Sequence, residues 1–542
     1  MHCKAAAQER TSGEASAPKS HVDGYTGNEA CAKCHADIYQ SYVRSAMAHA
    51  SGPAAEALVA ADFAHKRSGV NYRIYSDAGK VWLSFERPGD AVVQGKRELL
   101  YYVGQGRRGR TYLFSVDGFL FESPVNWYAD RHMWDMAPTY GNARQIPMNL
   151  PVATSCLDCH VSGVEPPIGG SENRYPSPPF AYSGVTCERC HGPGAAHVNG
   201  GAIVNPAKLT PKLRDQVCMQ CHLEGNAAIE RAGRRLYEYK AGDDLSKYVR
   251  YFVFSGTPRP GGLRATSQFE ALAQSVCKQK AGDAMACTSC HDPHQTITPE
   301  RRVAFYRGRC IACHSNAFAT KHHKEQPDCT ACHMPASLST DVAHTEVTDH
   351  RILRRPSGEV SQQVPSTPAA RLVPFPASEG VGLDLRDLAL AWQSVMEGGT
   401  SSMRQEGERV LRAALAQSPD DPALLSSLGY LEQKRGEDDQ AREFYRRALE
   451  RDASLIDAAT NLGVIEAKRG HLAEAVRLWQ SAFERAPGRS EIGMNLARAF
   501  CATAQYDVAR RYTLRVLQFN SDLGPAKKQM VELNATPPRC AQ

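Results

Sequence analysis

The sequence predicts a multidomain chain: a loop-rich N-terminal part, a small antiparallel β region inserted into it, and an all-α solenoid after it. Three observations carry this. One five-residue cysteine frame recurs seven times between residues 31 and 333. Two alternating apolar runs stand between the first and second of these frames. Beyond residue 414, small residues recur every 34 positions.

Length and charge set the bounds. At 542 residues the chain exceeds one compact domain, and about two to four units are expected. The formal charge of +6 comes from 64 basic and 58 acidic residues, too mild a balance to indicate a nucleic-acid partner. No run approaches the roughly 18 apolar residues of a membrane span.

The frames are Cys31, Cys34 and His35 (CAKCH); Cys156, Cys159 and His160 (CLDCH); Cys187, Cys190 and His191 (CERCH); Cys218, Cys221 and His222 (CMQCH); Cys287, Cys290 and His291 (CTSCH); Cys310, Cys313 and His314 (CIACH); and Cys329, Cys332 and His333 (CTACH). They use 14 of the 18 cysteines. A disulfide framework has no need of a histidine after every second cysteine. Zinc modules use cysteine pairs two at a time and would leave a seventh pair over. Thioredoxin-like sites come singly on a βαβ pattern that is absent. Cys-x-x-Cys-His is the attachment signature of c-type haem: two thiols form thioethers, and the adjacent imidazole is the proximal iron ligand. Seven c-type haems are therefore expected, about one per 45 residues, so that the macrocycles supply much of the core and Gly/Pro-rich loops wrap them.

Nineteen histidines less seven leave twelve. Outside the polar tail and the helical region they include His49, His65, His132, His197, His294, His322, His323, His344 and His350, which become candidates for distal ligation beside seven irons. Met47 and Met136 are alternatives. His294 follows proximal His291 by three residues, a reach of about 10 Å, too short to pass round a macrocycle to its other face. If it binds iron it serves a neighbouring haem. The same holds, with more slack, for His197 after His191 in CERCHGPGAAH.

Residues 1–24 read as a disordered polar tail. Covalent haem attachment implies export in bacteria, yet no signal-peptide apolar region is visible, so the chain is read as a mature form or one with a misassigned start. NYRIYSDAGKVWLSFE (71–86) and RTYLFSVDGFLFESPVNWY (110–128) read as two β-hairpins, within a β insertion over about 66–128 of a haem domain spanning 25–354. Residues 355–382 are a Pro/Ser-rich linker or strap. Leu428-Gly429, Leu462-Gly463 and Leu496-Ala497 then recur with the tetratricopeptide period, giving helical repeats within 383–535 and a concave face suited to protein docking.

CAKCHADIYQSYVRSAMA, YYVGQGRRGRTYLF, WYADRHMWDMAPTY, CERCHGPGAAHV, NPAKLTP, CMQCHLEG, CTSCHDPH, CTACHMP and HTEVTDHRI together resemble the multihaem (heptahaem) cytochromes c that carry a C-terminal tetratricopeptide array and a cytochrome c-554-like haem domain. The resemblance covers about 25–540. It implies electron transfer across the bacterial envelope, periplasmic or extracellular. It supports Met47, His197, His294, His344, His350 and one of His322 and His323 as distal ligands, with Met136 in a matching tryptophan-rich stretch. His49 and His132 beside the two methionines depart from that pattern and leave the methionine ligands open.

The fold class is thus a loop-rich multihaem cytochrome c domain with a small antiparallel insertion, plus an all-α tetratricopeptide solenoid. The function expected is electron transfer to redox partner proteins, docked on the repeat groove or an exposed haem edge. The rival is a multihaem reductase or oxidase of small nitrogen or sulfur compounds with one open-coordination haem. No motif replaces its histidine by lysine, so one mark of a specialised catalytic haem is missing.

Overall fold

The computed structural model of the chain describes residues 23–104, 109–140, 143–145, 148–255, 263–315, 327–342, 344–354, 371–377 and 383–540. Among the described residues, helices of the haem-motif region are short, the longest being Pro299–Ile311, and loops join them.

The β insertion is larger than the two expected hairpins. Eight strands, β1 (Ser51–Pro53), β2 (Ala61–His65), β3 (Val70–Asp77), β4 (Lys80–Arg87), β5 (Asp90–Val103), β6 (Gly109–Val116), β7 (Phe119–Tyr128) and β8 (Met133–Met136), form one antiparallel sheet in the order β2 to β8, with β1 on β5. The two hairpins lie within it as β3–β4 and β6–β7. Each turns on two residues at positive φ, Ala78 and Gly79 in one, Asp117 and Gly118 in the other, the backbone a two-residue turn needs to match strand twist. Strand β5 joins the hairpins, pairing Trp82 with Glu98 on one side and Tyr102 with Tyr112 on the other. Alternation buries Tyr72, Ile74, Leu83, Phe114 and Phe121 on the core face.

Three smaller sheets tie the haem-motif loops together. One is β9 (Val161–Val164) with β10 (Phe180–Ser183). Another is β11 (Ala227–Glu230), β12 (Val249–Ser255) and β15 (Arg371–Phe375), and the last is β13 (Ala336–Leu338) with β14 (Glu346–Thr348). Strand β15 falls in the stretch read as a linker: within 355–382, residues 371–375 are a sheet edge bonded to β12. Residues 355–370 and 378–382 lie outside the described residues.

The C-terminal region is helical: α1 (Leu385–Met396), α2 (Ser401–Gln417), α3 (Pro422–Arg435), α4 (Asp438–Arg451), α5 (Ile456–Lys468), α6 (Leu472–Arg485), α7 (Ser490–Ala502), α8 (Tyr506–Phe519) and α9 (Gly524–Leu533). The 34-residue period has a packing cause. A Cβ added at Gly429 would lie 2.7 Å from the Tyr445 ring, and one at Gly463 would overlap the Trp479 indole more closely still. A glycine on one helix makes room for an aromatic ring on its pair. In the third unit the equivalent positions hold Ala497 and Thr513, trading a small gain on one helix for a smaller partner on the other. Gly463→Leu is therefore expected to cost about 1–3 kcal/mol by overpacking, read as a lower melting temperature in circular dichroism. Trp479→Ala in the same chain should recover part of that loss.

The helical region is fixed to the rest at both ends. Helix α1 packs Leu388 and Trp392 on Phe252 and Leu372 of the β11–β12–β15 sheet, and Arg231 bridges Asp384, at 2.7 Å, and Asp387. Toward the C-terminal end, Phe519 enters the core of the large sheet beside Phe121, with ring centroids 5.3 Å apart. Around it the Met148 N–H donates to the Phe519 carbonyl at 3.0 Å, the Asn149 amide to the Gly488 carbonyl at 2.7 Å, and the Glu172 N–H to the Arg485 carbonyl at 3.0 Å. Arg87 grips Asp522, Lys527 reaches Asp90 at 2.7 Å, and Arg489 reaches Glu172 at 2.7 Å. A disulfide, Cys501–Cys540, ties α7 to the segment after α9. No helix among the described residues is long and apolar enough to cross a membrane.

Candidate haem sites

Each cysteine frame folds as about one helical turn. The N–H groups of His35, His191, His291 and His314 donate to the carbonyl of the first cysteine of their own frame at 2.9–3.0 Å. That i to i+4 bond brings two thiols and an imidazole to one side of a short element, as attachment to a single macrocycle requires.

The imidazoles meet in pairs drawn from distant parts of the chain. Ring centroids of His35 and His197 are 6.3 Å apart with planes 11° from parallel. His191 and His294 are 5.9 Å apart at 14°, and His291 and His350 are 6.2 Å apart at 29°. An imidazole bound through Nε2 at a metal–nitrogen length of about 2 Å places its centroid about 3 Å from the metal, so two rings in trans stand about 6 Å apart. All three pairs have that separation.

Ring tautomers agree with it. Nδ1 of His191 donates to the Val204 carbonyl at 2.9 Å, that of His197 to Gly201 at 3.0 Å, and that of His350 to Thr348 at 2.9 Å. Nδ1 of His160 donates to the Ala50 carbonyl at 3.1 Å and that of His333 to Leu353 at 2.6 Å. A carbonyl only accepts, so Nδ1 carries the proton and the lone pair lies on Nε2, the atom a metal would take. Burial holds His160 and His191 below the usual histidine range and brings His291 to about 4, with His350 and His222 adding repulsion at the last. Neutral rings at neutral pH are the form that binds metal.

The thiols show which frames are neighbours. Cys31 lies within hydrogen-bonding reach of Cys187, Cys159 of Cys221, Cys218 of Cys287, and Cys310 of Cys329. Cys190 also stands near Cys221, and Cys290 near Cys313. The frames therefore run 1, 3, 4, 5, 6, 7 in space, with frame 2 beside frame 4.

Sequence reasoning missed the residues inside the frames. Asp158, Glu188, Arg189 and Gln220 are 1–5% exposed. Glu188 accepts from the N–H groups of Thr26 at 2.7 Å, Gly27 at 3.0 Å and Gly194 at 2.9 Å, tying the strand of chain before frame 1 to the Gly-Pro-Gly bend after frame 3. Arg189 donates to the Asp158 carbonyl at 2.7 Å, and the Gln220 amide donates to the Arg189 carbonyl at 3.3 Å. The one signal available was charge at positions enclosed by cysteines.

Other candidates lie elsewhere. Met136 is 2% exposed and packs in the core of the large sheet, where its side chain fills space. His132 is exposed, at φ 49°, with its ring edge-on to Trp127. Nε2 of His344 is 2.8 Å from Asp135 Oδ2, and its ring meets Tyr128 edge-on, so that nitrogen is engaged by the sheet. Met47 is half-buried and His49 exposed, in a turn that meets His160 through the Ala50 carbonyl. His322 and His323 lie outside the described residues.

A family model described as cytochrome c554 and c-prime matches residues 126–192, a stretch holding frames 2 and 3. Over 194 residues the chain is 24% identical to the multiheme cytochrome MtrA of Shewanella baltica (strain OS185), covering 32% of this chain and 56% of that protein. The chain thus spans about half the length of that relative. Among solved structures, a crystal structure of MamA matches 25% of this chain and 78% of its own at 17% identity and TM-score 0.23. The pilF protein of Pseudomonas aeruginosa matches 28% and 68% at 22% identity and TM-score 0.25. Similarity to cytochromes c implies c-type haem on this chain.

Proposed function

We propose that the chain is a seven-haem c-type cytochrome carrying electrons outside the bacterial cytoplasm. The fourteen cysteines of the frames take the thioethers, and His35, His160, His191, His222, His291, His314 and His333 take the proximal positions. His197, His294 and His350 are the distal ligands of frames 1, 3 and 5. The observation that carries this is the set of three imidazole pairs at iron-spanning separation. Two of them answer the geometric argument from the sequence: His197 meets His35 rather than nearby His191, and His294 meets His191 rather than nearby His291. Bound haem would supply one-electron chemistry at iron. The neighbouring thiols support a wire along frames 1, 3, 4, 5, 6 and 7 with frame 2 as a branch. The Cys501–Cys540 disulfide fits an oxidising compartment, and the helical repeats supply a face for a redox partner.

His197→Ala, His294→Ala and His350→Ala should each convert one low-spin haem to high-spin in electron paramagnetic resonance, with the whole-protein mass still corresponding to seven attached haems. An unchanged spectrum removes that residue from the ligand set. A second reading is a reductase or oxidase of small nitrogen or sulfur compounds with one open-coordination haem. A high-spin signal in the native protein that responds to nitrite, hydroxylamine or cyanide supports it; seven unresponsive low-spin signals discard it.

A further inference from the structure

Frame 3 holds a buried charge that haem attachment does not require. Arg189 is 5% exposed. Its guanidinium donates to the Asp158 carbonyl at 2.7 Å and lies within hydrogen-bonding reach of the Tyr25 hydroxyl and the Cys221 sulfur. These acceptors are a carbonyl, a phenol and, once a haem is attached, a thioether: all neutral. Among the described residues no carboxylate stands within ion-pair distance of Arg189, and Asp158 Oδ1 is buried without a hydrogen-bond partner. Through Asp158, Gln220 and Cys221 the side chain and backbone of Arg189 join frames 2, 3 and 4.

A buried cation whose hydrogen-bond partners are neutral, with the Asp158 carboxylate acting on it only through space, is costly, and an apolar side chain of similar volume would pack there at less cost. The charge therefore asks for a role. Inside protein the field of a charge without a directly bonded counter-ion is weakly screened and reaches neighbouring cofactors. Reduction adds one electron to an iron, and a nearby positive charge favours the electron-richer state. The Cys221 sulfur, which the guanidinium touches, is one of the two points at which frame 4 would hold its macrocycle.

We infer that Arg189 is a potential-setting residue: its buried guanidinium raises the reduction potentials of the haems on frames 2, 3 and 4, most strongly on frame 4. This rests on the haem reading above. It makes the middle of the wire a place where electrons collect before they leave it.

The test is spectroscopic redox titration of the full-length holoprotein, haem content being fixed first by mass. Arg189→Met removes charge and hydrogen bond, Arg189→Gln removes the charge but keeps a donor, and Arg189→Lys keeps the charge. In the Met and Gln variants the reduced-to-oxidised ratio of the affected haems should fall at least tenfold at a fixed potential, about 59 mV for a one-electron couple; the Lys variant should titrate like the parent. The inference is overturned if the Met or Gln variant titrates like the parent, if the Lys variant shifts as far as Met, or if both neutral variants lose haem, which would assign Arg189 a folding role. A parent protein without seven attached haems would instead sink the haem reading, and mass alone shows that.

Discussion

Glu188→Ala should release one haem from its distal ligand and cost about 3–5 kcal/mol of stability, although Glu188 touches neither member of the imidazole pair. Its carboxylate, 1% exposed, accepts three backbone N–H groups. Two of them, on Thr26 and Gly27, lie just before Cys31. The third, on Gly194, lies just before His197. The side chain thus fixes the distance between the stretch bearing His35 and the stretch bearing His197. Without it two buried donors and one half-buried donor lose their acceptor, and the 6.3 Å spacing of the two rings loses its anchor. The expected readout is a new high-spin signal for a single haem together with a lower melting temperature. Glu188→Gln, which keeps one acceptor oxygen, should fall between the parent and the alanine variant. A spectrum unchanged in Glu188→Ala would show that haem attachment alone holds the pair.

Asp522→Asn should loosen the joint between helical region and large sheet by about 3 kcal/mol at neutral pH, since it removes the most buried charge of an ion-pair cluster and leaves Arg87 and Lys527 to share Asp90 alone. The Asp522 side chain is 4% exposed, gripped by Arg87 and 3.2 Å from Lys527. Burial works to raise its pKa, but hydrogen bonds from Arg87 and Lys527 outweigh it and hold the carboxyl below its usual value. A folded-state pKa depressed in this way contributes stability that is full above the unfolded value, about 3.9, and is lost as pH falls through the folded one. Melting curves of parent and Asp522→Asn should therefore be well separated at pH 7 and draw together below about pH 4. A gap that stays constant down to pH 3 would assign the contact to shape instead of charge.

What could be read in advance follows from the range of each cause. The seven frames are local chemistry, and their spacing shows in any linear reading. The hairpin turns at Ala78-Gly79 and Asp117-Gly118 are equally local. Strand β5 escaped because Gln94, Gly95, Lys96, Arg97 and Glu98 break the alternation in its middle; pairing with β4 holds those residues extended regardless. The stretch at 371–375 looked like linker because Pro374 and its neighbours read as a strap, yet β12 offered an edge that tolerates proline. Met136 was ambiguous by nature, since a thioether beside tryptophans serves a core as readily as an iron. The seat of Phe519 in the sheet core and the grip of Arg87 on Asp522 had no local sign, the latter two residues standing 435 positions apart. Glu188 and Arg189 were hidden by their own frame, where the cysteines drew the reading and the letters between them looked like filler.

The three ring pairs share stretches of chain. Residues 187–197 hold His191 of one pair and His197 of another, and residues 287–294 hold His291 and His294 of two pairs in the same way. Each such stretch links two pairs in an open series that runs from His35 to His350, so on the haem reading proposed above a chain left empty at frame 3 or frame 5 would disturb a second site as well. On that reading haem attachment would be cooperative along the linked frames, one missed attachment leaving two defects in place of one.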